Sequence, residues 1–370
     1  MKGENFNISG KKPIVLVAPL DWGLGHATRC IPIISELLSN GCEVLIGAEG
    51  AGLILLQNEF PQLHFIPLRG YRVRYSRKKN GLPVTILLQL PKLFFCFYYE
   101  RSWLNKIIKN HAIDVVISDN RPGLNHSAVH CIYITHQLTI KTGSRFAAWL
   151  AQKIHYSFIK KFDACWVPDA AGGINLAGLL SHPKHLPATE VQYIGPLSRF
   201  EKTSVDKIYD LAVILSGPEP QRTIFEEIVL DQLRHYNGTV LLVRGLPGNL
   251  VNIQTDISNI IIHNHLSADA LNNAIEQSAM VICRSGYTTI MDLVKLQRNA
   301  VLVPTPGQTE QVYLAEYLME KKIFVCVQQS EFSLPEVFRK SDDFSFFRPV
   351  INCCEYKLVI ENFINSINKS

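Results

Sequence analysis

The chain has 370 residues, 47% of them hydrophobic and 19% charged, with a formal net charge of +5. This length suits two domains of ordinary size, and the apolar fraction excludes a disordered chain. The charge is too small to indicate a nucleic-acid partner by itself. No apolar segment is long enough to span a bilayer, and residues 1–12 lack a signal-peptide core. We therefore expect a cytoplasmic protein, which agrees with nine cysteines that form no CxxC pair.

Strand–turn–helix units recur along the whole chain, and their apolar runs indicate buried strands of parallel sheets. The expected strands are residues 13–19, 42–48, 64–67, 114–118, 131–135 and 164–167, then 210–216, 239–244, 260–263, 280–284, 300–304 and 323–327. The pattern restarts near residue 210, so we expect two doubly wound, Rossmann-like α/β domains that face a central cleft. Their expected bounds are 1–196 and 209–350, with a linker at 197–208 and a C-terminal helix at 351–370.

A glycine-containing turn, Gly23 to Arg29, follows the first expected strand directly. Its glycines permit a tight turn and a close approach of a ligand to the backbone. A dinucleotide fingerprint would need a third glycine where Thr28 stands, so NAD binding has little support. His26 lies at the start of the next helix and could contact an anion or move a proton, or it could simply cap that helix.

Two further polar residues end strands of the same expected sheet. Asp119 follows the strand at 114–118, where it suits a general base, a hydroxyl anchor or an Asx turn. His136 follows the strand at 131–135 and suits either a catalytic or a structural role. Because parallel strands end at one edge of a sheet, we expect both residues to lie near His26.

The densest basic run, residues 69–79, precedes an aromatic-rich stretch, residues 82–103. Basic residues beside exposed aromatic rings suit an anionic membrane surface or a lipid acceptor. The alternative is a solvated loop followed by a buried helix that starts near Pro91. Both interpretations remain open at this point.

The second half opens with Ser216 to Thr223, directly after an expected strand. Gly217 gives this segment the character of a phosphate-binding turn, and Arg222 could pair with a diphosphate. The alternative is a proline-stiffened loop with a solvated arginine. The GxxxxGK pattern of P-loop proteins is absent, which argues against ATP hydrolysis.

The most informative segment runs from Cys283 to Asp292, where Arg284, Ser285 and Gly286 separate a buried strand from a helix. Such a junction presents free backbone N–H groups to a phosphate. Asp292 lies two turns after Ser285 and shares a face with Thr288 and Thr289, so its carboxylate could accept from ribose hydroxyls. A second loop, residues 304–311, follows the next strand, and together the two loops suggest a nucleotide-sugar site. No spacing of ligands suggests a metal site.

Taken together, the segments at 23–29, 283–292 and 304–311 resemble the two-domain GT-B glycosyltransferases of glycosyltransferase family 28. This family includes the peptidoglycan N-acetylglucosaminyltransferase and the galactolipid synthases. The resemblance implies inverting transfer of a hexose or N-acetylhexosamine from a UDP-sugar to an acceptor hydroxyl, without a bound metal or other cofactor. The N-terminal domain would then bind the acceptor, such as a lipid or a lipid-linked saccharide, and the C-terminal domain the nucleotide sugar.

The resemblance also assigns residues. Gly23, Gly25, His26 and Arg29 match the acceptor-side loop, with His26 the first candidate for the general base before Asp119 and His136. Backbone N–H groups of Ser285, Gly286 and Tyr287 would lie near the diphosphate, and Asp292 stands where relatives have a ribose-binding glutamate. The other positions expected to bind the donor are Arg199, Gly217, Arg222, Leu266, Arg284, Thr289, Gln308, Glu310 and Gln311.

Two other functions stay open. A UDP-sugar 2-epimerase can use the same architecture without an acceptor. A non-catalytic, membrane-associated partner subunit would bind nucleotide and contact anionic lipid through residues 69–103, at the inner face of the cytoplasmic membrane.

Overall fold

The computed structural model describes residues 12–72, 82–140, 145–247 and 257–368, and for residues 82–91, 93, 145 and 146 it describes the backbone alone. Residues 73–79 of the expected basic run therefore lie outside the described residues. Two parallel sheets organise the rest, as the alternation of strands and helices predicted.

The first sheet has seven parallel strands in the order β3-β2-β1-β4-β5-β6-β7. These strands are β1 Ile14–Pro19, β2 Glu43–Ala48, β3 His64–Pro67, β4 Val115–Asp119, β5 His130–Ile134, β6 Ala164–Val167 and β7 Glu190–Tyr193. The helices that connect them are α1 Leu24–Ser39, α2 Gly50–Glu59, α3 Leu82–His111 and α4 Arg145–Ile159.

Alternate side chains of β1 enter two different apolar cores. Val15 and Val17 pack with α1, whereas Leu16 and Ala18 pack with residues of α3 such as Leu104. Successive side chains of a strand point to opposite faces, so a strand that is apolar throughout must be covered on both sides. This is the physical basis of the doubly wound arrangement.

The second sheet has six parallel strands in the order β10-β9-β8-β11-β12-β13. These strands are β8 Tyr209–Ile214, β9 Val240–Val243, β10 Ile260–His263, β11 Ser278–Cys283, β12 Ala300–Leu302 and β13 Val325–Cys326. The helices are α5 Gln221–Leu233, α6 Ala268–Glu276, α7 Tyr287–Lys295, α8 Thr309–Glu320 and α9 Leu334–Asp342. Its strands also alternate between two cores, since Ala212 and Val213 of β8 lie in different clusters.

The last helix, α10 Glu355–Ile367, returns to the first sheet and packs on α1. Phe363 of α10 meets the ring of Trp166 in β6 edge to face, with centroids 5.5 Å apart. Residues 194–208, between β7 and β8, form no helix or strand. Within the described parts of the chain, no helix combines the length and apolar character needed to cross a membrane.

Two elements differ from the sequence expectations. Helix α3 begins at Leu82 and runs through Pro91, so a start near Pro91 was wrong. A proline removes one backbone hydrogen bond, and the later turns of α3 still pack through Cys96, Leu104 and Ile107. Strand β7 was not expected, because the edge sequence Glu190–Tyr193 is only half buried and lacks an apolar run.

Candidate functional site

The candidate residues lie where the strand order of each sheet reverses. In the first sheet β1 is the neighbour of β4, and in the second β8 is the neighbour of β11. The loops that leave two such strands diverge and open a crevice, which is where ligands bind in open α/β sheets. Gly23 (φ +89°) ends the loop after β1 in a conformation that favours glycine, and α1 starts immediately behind it.

His26, Arg29 and Asp119 form one compact cluster in the first crevice. His26 Nδ1 lies 3.0 Å from Asp119 Oδ2, and Arg29 Nε lies 3.0 Å from the same oxygen. Asp119 is fully buried at the end of β4, and Arg29 is 2% exposed. The first turns of α1 therefore present an imidazole and a guanidinium to one carboxylate, as the common sheet edge predicted.

The charges in this cluster decide which group holds a proton. Burial alone would raise the pKa of Asp119, but Arg29 and then His26 outweigh it and lower that pKa to about 2. Burial and the charge of Arg29 lower the pKa of His26, and the Asp119 carboxylate opposes them. At neutral pH, Asp119 is thus a carboxylate and His26 a neutral imidazole, the form that can accept a proton.

The tautomer of His26 depends on two competing neighbours of Nδ1. Arg29 Nη2 lies 2.8 Å from this atom and can only donate, whereas Asp119 can only accept. A proton on Nδ1 makes a charge-assisted hydrogen bond to Asp119 and leaves Nε2 with its lone pair. That tautomer is the one in which His26 Nε2 could take a proton from a ligand.

His136 bridges the two sheets. Its Nδ1 lies 3.1 Å from Arg29 Nη1, and its Nε2 lies 2.7 Å from Glu310 Oε1 in the first turn of α8. Its ring stacks on Tyr287 of α7, with centroids 4.1 Å apart and planes 8° apart. Because Arg29 can only donate, the Nδ1 contact favours the tautomer that carries its proton on Nε2, toward Glu310. In that state neither ring nitrogen of His136 is free to act as a base.

Further contacts hold α7 against the first domain. Thr288 Oγ1 donates to the carbonyl of Gly25 at 3.0 Å, and Tyr287 Oη donates to the carbonyl of Pro168 at 2.8 Å. A Cβ on Gly25 would lie only 3.0 Å from Thr288 Oγ1, so a glycine allows this close approach of α1 and α7. The Gly-rich turn at 23–29 and the segment at 283–292 are thereby brought to the same cleft.

The N-terminus of α7 has the geometry of an anion site. The helix begins at Tyr287, and its N-cap Gly286 provides no side-chain cap. The first N–H groups of a helix lack partners within it and point along the axis toward an anion. Ser285 is fully buried and donates its hydroxyl to the carbonyl of Gln311 at 2.8 Å, while Thr289 is half-buried one turn into the helix.

Asp292 lies behind this N-terminus, held by the segment between the sheets. Ser198 Oγ donates to Asp292 Oδ1 at 2.6 Å. Burial raises the pKa of Asp292 to about 7, although the Ser198 hydrogen bond and the charge of Arg199 act in the opposite direction. The Arg199 side chain is 7% exposed, with Glu59 at 4.0 Å, and its Nε has no hydrogen-bond partner among the described residues. Arg199 and Asp292 thus lie close enough for their charges to interact.

The loop after β12 supplies the other side of the site. Gln308 caps α8 through its backbone, and Glu310 lies in the first turn. Burial would raise the pKa of Glu310, but His136 and its hydrogen bond lower it. Gln311 Oε1 accepts from the backbone N–H of Thr305 at 2.9 Å, which fixes the amide of Gln311.

Two expected donor-binding arginines make intramolecular contacts instead of projecting into open space. Arg284 is 1% exposed, and its Nη2 donates to Gln329 Oε1 at 2.7 Å and to the carbonyl of Gln221 at 2.9 Å. Burial lowers the pKa of Arg284 to about 9. Arg222 Nη1 donates to Glu226 at 2.5 Å, and the same carboxylate group also binds Arg244. Both arginines therefore stabilise the loops around the crevice by hydrogen bonds to neighbouring segments.

Gly217 and Leu266 lie in two other loops at the carboxyl edge of the second sheet. Gly217 is exposed with φ +102°, in the turn that follows β8. Leu266 is half-buried after β10 and packs against Leu241 and Val243 of β9. Among the described residues, no three His, Cys, Asp or Glu side chains are grouped so that they could hold a metal ion.

Sequence reasoning assigned no role to three side chains of the site: Ser198, Thr288 and Thr305. The importance of Ser198 and Thr288 depends on partners far along the chain, Asp292 and Gly25 respectively. Thr305 stands inside the loop that was recognised, between two prolines, and this position was the only available signal.

Comparison with known proteins bears on the fold and on the second domain. Residues 224–346 match the model of the glycosyltransferase family 28 C-terminal domain, and no curated protein matches the sequence. The chain is similar in structure to the glycotransferase of kitacinnamycin, at 14% identity, over 96% of both chains and with a TM-score of 0.60.

Two further solved structures are similar along their whole length. MurG of Acinetobacter baumannii is 14% identical, with 97% of this chain and 100% of that chain covered and a TM-score of 0.55. UGT89C1 of Arabidopsis thaliana, complexed with UDP-L-rhamnose, is 9% identical, with 97% and 95% covered and a TM-score of 0.61. Identities this low show the fold alone, and that fold is the two-domain GT-B architecture expected from the sequence.

Proposed function

We propose that this chain, which matches the family 28 C-terminal domain and has the GT-B fold, is an inverting glycosyltransferase with a UDP-sugar donor. It would move a hexose or N-acetylhexosamine to the hydroxyl of an acceptor, with no bound metal. The observation that carries this proposal is the cluster of His26, Arg29 and Asp119, which His136 connects to Glu310 of the other sheet.

The donor half of the proposal rests on the second crevice. The uncapped N-terminus of α7 suits the diphosphate, and Asp292 lies behind it where it could accept from the ribose hydroxyls. Glu310 and Gln311 follow in the next loop, which suits contact with the sugar's hydroxyls. The relative complexed with UDP-L-rhamnose has the same fold, which makes a uridine diphosphate donor a reasonable first choice.

The chemical step follows from the placement of charges on opposite sides of the cleft. The acceptor oxygen forms a bond to the anomeric carbon while the bond from that carbon to the diphosphate oxygen breaks. The electron pair goes to the diphosphate, whose charge the N-terminus of α7 and Arg199 would stabilise. The acceptor proton goes to His26 Nε2, and the resulting imidazolium is stabilised by Asp119. A base opposite the leaving group gives inversion.

His136 is better suited to positioning than to proton transfer. Its Nδ1 faces Arg29 and its Nε2 faces Glu310, so both nitrogens are engaged. It would hold Glu310 beside the cleft and keep α8 near α1. His26 therefore stays the first candidate for the base, with Asp119 as its partner.

A lipid-linked acceptor is supported by an exposed aromatic surface on the first domain. Phe94, Phe95 and Tyr98 of α3 are 51%, 60% and 69% exposed. The adjacent α4 adds Trp149 and Leu150, which are 51% and 45% exposed. We call these five residues the aromatic surface.

The surroundings of the aromatic surface suit a membrane with anionic lipids. Helices α3 and α4 touch through Phe97 and Phe158, whose centroids are 5.0 Å apart. Lys153 lies 4.1 Å from the ring centre of Trp149, and Lys161 lies 5.0 Å from that of Phe97. Basic groups beside aromatic side chains favour an anionic bilayer surface, which would bring the cleft to a lipid acceptor on the inner face of the membrane.

The test is a transfer assay with a panel of UDP-hexoses and UDP-N-acetylhexosamines, with diacylglycerol or polyprenyl-diphosphate saccharides as acceptors. We expect UDP release that depends on the acceptor, and a β-linked product from an α-linked donor by NMR. An α-linked product would contradict inversion. A changed sugar without any acceptor would favour the 2-epimerase, and binding to UDP and vesicles without turnover would favour the non-catalytic partner subunit.

A further inference from the structure

Thr305 stands at the carboxyl edge of the second sheet, in the loop between β12 and α8. It is 2% exposed. Its strand neighbours β11, whose end continues through Ser285 and Gly286 into α7. Thr305 is thus a buried hydroxyl residue beside the candidate anion site.

The hydroxyl of Thr305 has no hydrogen-bond partner among the residues that the structure describes. The backbone N–H of the same residue does have one, because it donates to Gln311 Oε1 at 2.9 Å. A buried hydroxyl without a partner destabilises a protein, since it has lost its water and gained nothing in return. Such a group is explained if a ligand completes its hydrogen bond.

The surroundings of the hydroxyl indicate which ligand that is. Gln311 connects Thr305 to the start of α7, because its carbonyl accepts from Ser285 Oγ at 2.8 Å. On the other side, a Cβ on Gly217 would lie 3.7 Å from Thr305 Oγ1. Thr305 is therefore next to the Gly217 turn and is linked through Gln311 to Ser285, which directly precedes the N-cap of α7, whose first N–H groups lack partners within the helix.

We propose that Thr305 is a donor-binding residue whose hydroxyl donates a hydrogen bond to the terminal phosphate of a nucleoside diphosphate held at the N-terminus of α7. This assignment rests on the proposed function, because it requires a nucleotide-sugar donor in the second crevice. The hydroxyl is shielded from water, so a hydrogen bond to a phosphate oxygen is stronger here than at an exposed site.

Three proteins test the assignment: the wild type, Thr305→Val and Thr305→Ser. Valine keeps the shape of threonine and removes the hydroxyl, whereas serine keeps the hydroxyl. UMP and UDP are titrated into each by calorimetry, UDP-glucose is added as a third probe, and the thermal unfolding of each protein is recorded without ligand.

We expect Thr305→Val to weaken UDP binding about tenfold or more, the usual effect of losing a hydrogen bond to a charged oxygen. UMP binding should stay within about twofold, and Thr305→Ser should bind UDP as the wild type does. Without ligand, Thr305→Val should melt at or above the wild-type temperature, because the hydroxyl it lacks had no partner.

The other outcomes are equally informative. Equal UDP affinity of Thr305→Val and the wild type would overturn the assignment of Thr305 alone. Weakening confined to UDP-glucose would overturn the phosphate contact and indicate a hydroxyl of the sugar. Equal loss of UMP and UDP binding together with a lower melting temperature would show a structural role instead. A wild type that binds no UDP would overturn the proposed donor, and the Thr305 assignment with it.

Discussion

His136 Nε2 lies 2.7 Å from Glu310 Oε1, and this contact joins the end of the fifth strand of one sheet to the first turn of a helix on the other. Nδ1 of the same imidazole contacts Arg29, and its ring stacks on Tyr287. One side chain thereby connects the proposed acceptor side with the proposed donor side. A change in the charge of His26, Arg29 or Asp119 should therefore alter the electrostatic potential at Glu310.

The contact between His136 and Glu310 should be energetically coupled. A double-mutant cycle with His136→Ala and Glu310→Ala is expected to give a coupling of about 1 kcal/mol in the free energy of unfolding, limited by the partial exposure of Glu310. The pair Glu336 and Arg339 of α9, whose arginine side chain is 62% exposed, is the matched control and should show a smaller coupling. A coupling no larger than that of the control would show that the bridge is energetically unimportant. Urea unfolding of the four proteins of each cycle measures it.

Loss of the His26 imidazole should slow transfer and leave donor binding nearly unchanged. A positioned base contributes about 10²- to 10⁴-fold to a rate, so His26→Ala should lower kcat by that factor. His64→Ala, at an exposed position of β3, is the control and should retain wild-type turnover. Full activity of His26→Ala would remove His26 from the proposed role and leave Asp119 as the next candidate. Steady-state kinetics and UDP titration separate the two effects.

The pH dependence of kcat/KM should report the environment of His26. Burial and Arg29 lower the pKa of this imidazole from 6.5, so the neutral base persists below pH 6.5 and activity falls only at lower pH. Asp119 opposes that shift, so Asp119→Asn should move the acid limb to still lower pH while it reduces the maximal rate. An acid limb above pH 6.5 in the wild type, or one unmoved in Asp119→Asn, would contradict this account.

Asp292 should make the stability of the protein depend on pH. Its pKa is about 7 in the folded state and near 4 in an unfolded chain, so the folded state binds the proton more tightly. The stabilisation is present below about pH 4 and is lost as the pH rises toward 7. Relative to Asp292→Asn, the wild type should lose up to about 1.4 kcal/mol per pH unit between pH 5 and 7.

Chemical denaturation at pH 5, 6, 7 and 8 measures this difference. The control is Asp342→Asn, which removes an exposed carboxylate at the end of α9. If the difference between the wild type and Asp292→Asn varies no more with pH than that of this control, Asp292 is ionised in the folded protein at every pH tested.

Vesicle binding should depend on the aromatic surface. Phe95→Ser together with Tyr98→Ser removes two rings that are 60% and 69% exposed and should weaken binding to vesicles with anionic lipid about tenfold. Val350→Ser, at a 98% exposed position after the second sheet, is the control and should leave binding unchanged. Flotation at low and high salt measures both variants. Equal flotation of the double variant and the wild type would exclude α3 as the contact.

Local patterns were sufficient for the strands and for the loops that follow them. The run at 164–167 coincides with β6, because a buried parallel strand is apolar on both faces and ends abruptly in turn residues. The strand–glycine–helix junctions at Gly23 and Gly286 were visible for the same reason. The edge strand β7 and the full length of helix α3 were not visible in the sequence. Loops share the polar pattern of β7, and a proline interrupts the pattern of α3.

The roles of individual charges could not be read from the chain. Arg284 and Arg222 stand beside glycine-containing turns in the sequence, yet their guanidinium groups brace backbone carbonyls and a buried glutamate. The guanidinium of Arg199, in the segment between the sheets, has Glu59 at 4.0 Å and an Nε without a hydrogen-bond partner among the described residues. Which of several arginines has spare hydrogen-bonding capacity depends on partners from other strands.

The sequence by itself determined the two parallel sheets, the edges at which the polar loops gather and the residue types available there, because these follow from hydrophobic periodicity and turn chemistry over short distances. Only the tertiary structure decided that Asp119 pairs with His26 and Arg29, that His136 reaches Glu310, and that the Thr305 hydroxyl is left without a partner. Hydrogen bonds and charge interactions act over a few ångströms in space. Asp119 comes within that range of His26 and Arg29 only when the first sheet has formed, and His136 comes within that range of Glu310 only when both sheets face each other.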